Sequence, residues 1–182
     1  MILSHYSDNP VLSPSSIKQK DDADMKPQGL WLSVDGPDDW ASWCESEKFR
    51  DIEDQYQHRV ELTSSANILR ITNSDELRDF HSKYVAGQEG RPWERYAVDW
   101  SRVATGSQGI IIAPYIWSER LGDIGWYYGW DCASGCIWDK DAIAKVELIK
   151  SPITPTVQTK ARTGKNLMTG ESIYETKTKQ GG

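Results

Sequence analysis

The sequence predicts an α+β domain, and three observations carry that prediction. Short β-like runs recur through the first 150 residues, only two or three segments show helical periodicity, and neither a strict strand-helix-strand alternation nor an internal repeat links them. The chain has 182 residues with a net charge of −6, and it contains nine Trp and eight Tyr but only two Phe. A chain of this length buries a sizeable core without covalent staples.

Ile2 to Tyr6 reads as a first strand. Gly29 to Val34 is a second, entered from the Pro27-Gln28-Gly29 turn and left at Asp35-Gly36-Pro37. A helix follows, because Asp38 and Asp39 suit the positive end of a helix dipole and Trp40, Trp43 and Cys44 then fall on one face. Arg59–Thr63 and Asn67–Ile71 read as a hairpin around Ser64-Ser65. Ser74 opens a second helix whose apolar face is Leu77, Phe80, His81 and Tyr84. Trp93–Val103 is expected to hold a further helical stretch. Gln108–Ala113 is the most buried-looking strand, and Ser134–Trp138 and Lys145–Ile149 are two more.

Residues 1–153 form the expected domain, and 154–182 an extension. From Thr154 onward large apolar residues are few, so the segment is expected to be flexible and to build no core of its own. It carries five basic residues against two acidic ones, a net of +3, which leaves −9 on residues 1–153. An acidic body disfavours a broad nucleic-acid footprint, since phosphate contacts dominate such affinity, so any such contact is expected through the basic tail. No run of about 18 apolar residues is present, and the opening MILSHYSDNPV lacks a basic, then apolar, leader pattern. No membrane association and a cytoplasmic location are therefore expected. Cys44, Cys132 and Cys136 do not make a C-x-x-C pair, and with the scattered histidines they complete no zinc pattern, so buried thiols are expected and no metal.

Three segments carry a resemblance. His5-Tyr6-Ser7 ends the first strand, Gly29-Leu30-Trp31-Leu32-Ser33 is the second, and Trp40-Ala41-Ser42-Trp43-Cys44 lies on the helix after it. In that order they resemble the NAD-binding elements of the ADP-ribosyltransferase superfamily, in its His-containing branch of poly(ADP-ribose) polymerases and diphtheria-type toxins. Ser134 to Asp139, leading to Ile143–Leu148, is similar to that branch's late catalytic strand, and the resemblance spans about residues 2–150. It implies split antiparallel β-sheets with a few flanking helices. The small size resembles stand-alone bacterial or phage-encoded members.

The resemblance further implies that NAD is the substrate. His5 would bond the adenosine ribose, the backbone at Tyr6 the nicotinamide amide, and Trp31 and Trp43 would sandwich the nicotinamide ring, with Trp40 beside them. Gly29 falls in the same motif, and Ser7 and Ser33 would be supporting hydroxyls. Stacking a cationic ring on Trp is worth about 0.5–2 kcal/mol. The departure from the family lies on the late strand, where Ser134 or Gly135 stands at the position of the usual Glu. Asp131 is the nearest upstream carboxylate, so Asp131 and Ser134 are the candidate catalytic residues.

Trp126, Tyr128 and Trp130 lie in Gly125–Cys132, an aromatic run with neither period two nor 3.6, and are expected to be exposed and to face an acceptor or line the nicotinamide side of the cleft. Trp93, Trp100 and Trp117 are expected to pack, while the other six tryptophans, Trp138 included, crowd the cleft. Each residue also has an ordinary structural reading: Trp31 and Trp43 as core, Asp131 as a turn residue. Two functions remain open on the sequence: transfer of ADP-ribose from NAD to an unidentified protein, nucleic acid or small molecule, and a non-catalytic nucleotide- or partner-binding protein on the same fold.

Overall fold

A computed structural model of the chain describes residues 1–21, 23–85, 97–152, 158–165 and 172–178. It is an α+β protein in which Met1–Ser151 form one compact unit and Pro152–Gly182 another. The first unit holds strands β1 (Leu3–Ser7), β2 (Leu30–Val34), β3 (Tyr56–Leu62), β4 (Ile68–Ile71), β5 (Gly109–Ile112), β6 (Ser134–Ile137) and β7 (Ile143–Lys150). Its helices are α1 (Trp40–Glu47), α2 (Ser74–Tyr84) and α3 (Trp100–Ala104).

The seven strands make one sheet in the order β4-β5-β6-β2-β1-β3-β7. Where the resemblance implies split antiparallel sheets, the strands form a single mixed sheet, because β4 and β5 run parallel. A parallel pair needs a long crossover, and the connection between them contains α2 and α3.

The expected hairpin around Ser64-Ser65 is not formed. β3 pairs with β1 and β7, whereas β4 lies at the far edge of the sheet against β5. Only residues 63–67 join them, a reach of roughly 20 Å, while five strand spacings of about 4.8 Å would separate them in a flat sheet. The sheet therefore curls, and Leu3, Leu32, Val60, Ile111, Ile137 and Ala142 fill the inside of the curl with Leu62 and Ile68 packed on them. The opposite face carries a second core, in which Ile110, Ile112, Leu77, Phe80, Trp100, Val103, Trp126 and Trp138 meet. β5 is buried on both faces, which is why its sequence reads as an unbroken apolar run.

Asp39 caps α1 by accepting from the Ser42 amide at 2.8 Å. The cap of α2 is Asn73, one residue before the predicted Ser74, and its carboxamide oxygen accepts from the Glu76 amide at 3.0 Å. The stretch expected to be helical over Trp93–Val103 is helical only from Trp100; residues 91–96, Trp93 among them, lie outside the described residues. Two strands were not expected in the C-terminal extension, yet β8 (Gln158–Lys165) and β9 (Ser172–Thr178) pair there as an antiparallel hairpin. Among the described residues no helix is long and apolar enough to cross a membrane.

Candidate functional site

A cavity of about 300 Å³ opens where β1, β2 and the start of β6 meet the segment from Gly129 to Cys132. It is at the small end of ligand sites and mostly apolar, as such sites are. Its floor follows from strand register. Ser4 pairs with Ser33 across β1 and β2, and Ser33 pairs with Ser134 across β2 and β6, so three buried hydroxyls lie in one row across adjacent strands. Ser33 Oγ accepts from the Trp40 amide at 2.9 Å, tying the start of α1 to the floor. Ser4 Oγ accepts from Gln57 Nε2 at 3.1 Å. Ser134 Oγ donates to the Cys132 carbonyl at 3.0 Å.

The walls are aromatic. Trp31, Trp40 and Trp130 line the cavity with Tyr6. Trp31 meets Trp130 edge to face, with ring centroids 4.9 Å apart. Trp40 is stacked on Trp43 at 5.1 Å, and Phe49 packs against both. It is Trp40, not Trp43, that reaches the cavity; Trp43, one turn further along the same helix face, stacks behind it. Of the expected Trp31–Trp43 pair only Trp31 lines the cavity, beside Trp40 and Trp130.

His5 lies on the cavity wall with Nδ1 2.8 Å from the Trp31 carbonyl. A carbonyl only accepts, so Nδ1 carries the proton and Nε2 is left as an acceptor. Burial holds its pKa below the usual histidine value, against a smaller upward pull from the bond to Trp31 and a downward one from His58. The imidazole is therefore neutral at pH 7. Burial also pushes the Tyr6 phenol up to about 12, aided by the Asp35 and Asp39 carboxylates, so it remains a donor.

Asp131 lines the cavity, and it is the one carboxylate among the described lining residues. Burial raises its pKa, while Lys26 and Arg120 act the other way and Glu47 adds to the rise. Lys26 Nζ sits 4.0 Å from Asp131 Oδ2. Lys26, Arg50 and Gln55 are cavity residues that sequence reasoning missed. Each lies in an irregular segment with no periodicity to mark its face, and the only available signal for Lys26 was its place beside the turn into β2. The segment before β2 is nonetheless well anchored: Gln19 bonds both the amide and the carbonyl of Gln28, and Asp24 forms a bridge with Val98. Gln55 donates to Asp8 Oδ1 at 3.1 Å, but its own buried Oε1 has no partner.

Several expected site residues fall elsewhere. Ser7 and Gly29 do not line the cavity. Ser7 Oγ accepts from the Asn9 amide at the end of β1. Gly29, at φ +157°, is required by packing, since a Cβ there would lie 2.5 Å from the Ile137 carbonyl oxygen. The aromatic run is not an exposed loop. Gly125–Gly129 form a 3₁₀ turn in which Trp126 is 0% exposed and packs on Phe80 and Trp100, and only Tyr128, at 57%, faces solvent. A 3₁₀ turn repeats every three residues, which explains why neither standard period appeared. Trp138 belongs to the core and donates to the Ser107 carbonyl at 2.7 Å. Trp117, expected to pack, is 58% exposed and donates to Asp38 Oδ1 at 3.0 Å.

Cys44, Cys132 and Cys136 are free and buried, and burial lifts the Cys132 thiol to about 12, which makes it unreactive at neutral pH. Among the described residues no group of three or more His, Cys, Asp or Glu side chains is placed to hold a metal ion. No protein-family model, curated protein or solved structure matches the chain.

Proposed function

We propose that the protein binds NAD in this cavity and acts as an ADP-ribosyltransferase-like enzyme on an unidentified macromolecular acceptor. One observation carries the reading: the first strand, the second strand with its following helix, and the head of the late strand, recognised separately in the sequence, bring His5, Tyr6, Trp31, Ser33, Trp40, Asp131 and Ser134 to a single cavity.

In this reading the indoles of Trp31, Trp40 and Trp130 enclose the nicotinamide ring. His5 Nε2 accepts a hydroxyl from the adenosine ribose, and Arg50 supplies positive charge toward the pyrophosphate. The reaction breaks the bond between the ribose anomeric carbon and the nicotinamide nitrogen. That bond's electron pair leaves with nicotinamide, whose ring becomes neutral, and the acceptor's lone pair forms the new bond to the anomeric carbon. Asp131 stabilises the positive charge that develops at this carbon and takes the proton that the acceptor loses. Tyr128, exposed in the turn that precedes the cavity segment, is the acceptor contact in this reading.

Titrating the protein with NAD while following tryptophan fluorescence tests binding, and labelled NAD tests release of nicotinamide. A saturable quench that His5→Ala weakens, together with nicotinamide release that Asp131→Asn removes, is the expected result. No quench and no release at millimolar NAD would refute the proposal. The bond that occupies the Ser134 hydroxyl favours the second reading, a nucleotide-binding protein without catalysis, which predicts the quench without the release.

A further inference from the structure

Lys26 sits between an aromatic ring and a carboxylate on the cavity wall. Its ammonium lies 5.3 Å from the centroid of the Trp31 ring and 4.0 Å from Asp131 Oδ2. An aromatic face and a carboxylate together are the partners that recognise a cation, and the attraction grows as water is removed. Trp130, fully buried and set edge to face against Trp31, backs this seat. Opposite it, a Cβ on Gly129 would come within 3.1 Å of Lys26 Cε, so the missing side chain leaves room for the lysine stem.

The backbone on either side of the lysine is anchored. Gln19 clamps Gln28 on one side, and the Asp24–Val98 bridge fixes the other. The Lys26 side chain itself is 46% exposed, and a lysine stem rotates freely once its head group is released. Besides Lys26, the charged groups that act on Asp131 are Arg120, which opposes protonation, and Glu47, which favours it.

We propose that Trp31, Trp130 and Asp131 form a seat for a planar organic cation, and that Lys26 is its intramolecular occupant, displaced when the ligand enters. Naming that ligand as the pyridinium ring of NAD rests on the function proposed above; the seat itself does not. Two consequences follow. The oxidised, positively charged dinucleotide is selected over the reduced, neutral one. Once the glycosidic bond breaks and nicotinamide becomes neutral, the lysine outcompetes it and favours its departure.

The probes are 1-methylnicotinamide, a pyridinium cation with no ribose or phosphate, and nicotinamide, its neutral counterpart. Their affinities for the wild-type protein, Lys26→Met, Asp131→Asn and the double variant are measured by calorimetry, with melting curves confirming that each is folded and Lys26→Gln as a second replacement. The wild-type protein prefers the cation. Lys26→Met tightens cation binding about three- to tenfold, the loss of one competing exposed contact, and leaves nicotinamide unchanged. Asp131→Asn abolishes both the preference and the tightening. Weaker or unchanged cation binding in Lys26→Met, or no cation binding in any variant, would overturn the proposal; weaker binding would make Lys26 a ligand anchor instead. If the cation pattern holds but NAD does not bind, the NAD reading fails and the seat stands. If NAD is cleaved but Lys26→Met binds the cation no better, the seat fails and the NAD reading stands.

Discussion

Replacing Gly135 by alanine is expected to cost far more stability than replacing its neighbour Ser134, although both open the strand that stands where a catalytic acid is expected. Strand alternation turns Ser134 toward the cavity and Gly135 to the opposite face. A Cβ on Gly135 would lie 2.6 Å from both the Ile110 carbonyl oxygen and Ile111 Cγ1, well inside ordinary contact. Gly135 is paired on both sides, with Leu32 on β2 and Ile111 on β5, so β6 cannot retreat from one neighbour without crowding the other. Overpacking of this kind costs about 1–3 kcal/mol, and the backbone partner places this case near the upper end. At about 2–4 °C per kcal/mol for a chain of this size, the melting temperature falls by roughly 5–10 °C. Ser134→Ala loses one hydroxyl bond, about 1 kcal/mol and roughly 2–4 °C. Thermal melts followed by circular dichroism, with urea midpoints as a check, measure both. If Gly135→Ala melted within 2 °C of wild type, or above Ser134→Ala, the facing assigned to this strand would be wrong.

Trp126→Ala is expected to cost about 3–5 kcal/mol as a core cavity, and to weaken NAD binding less than Trp130→Ala, because its ring packs on Phe80 and Trp100 and backs Trp130 without lining the cavity itself. Trp130→Ala is destabilising by a similar amount and also loses part of the ligand-induced fluorescence change, Trp31 and Trp40 remaining as reporters; equal ligand responses from the two variants would contradict their separate placement. The lowered pKa of His5 makes stability depend on pH. The stabilisation from keeping this imidazole neutral is fully present above pH 6.5 and is lost as pH falls from there through the lowered folded value, because the unfolded chain then binds the extra proton. His81 is lowered by burial in the same way. The decisive comparison is therefore the melting temperature of wild type and His5→Gln between pH 7.5 and 4.5, where the variant declines less steeply.

Much of the local structure was legible in the sequence. Asp39 and the tryptophans after it announced α1, the apolar run of Gln108–Ala113 announced the most buried strand, and the order of the three short motifs led to residues that share one cavity. The errors have identifiable causes. Ser64-Ser65 supplies a turn between two strands, but which strands then pair depends on hydrogen bonds to distant segments, and β4 finds its partner in β5 only after α2 and α3 have crossed over. The Gly125–Cys132 aromatics follow a three-residue turn whose period no strand or helix template contains.

The sequence by itself determined strands β1 to β7, helices α1 and α2, and which aromatic motifs deserve to be read together, because those properties rest on spacing and on local capping. Only the tertiary structure decided that Ser134 rather than Gly135 faces the cavity, that Trp40 rather than Trp43 reaches it, and that Lys26 meets Asp131 there. The physical reason is register. Ser4, Ser33 and Ser134 become neighbours through backbone ladders between residues up to 101 positions apart on paired strands, and the direction of each side chain in that row is set by where the distant partner strand locks.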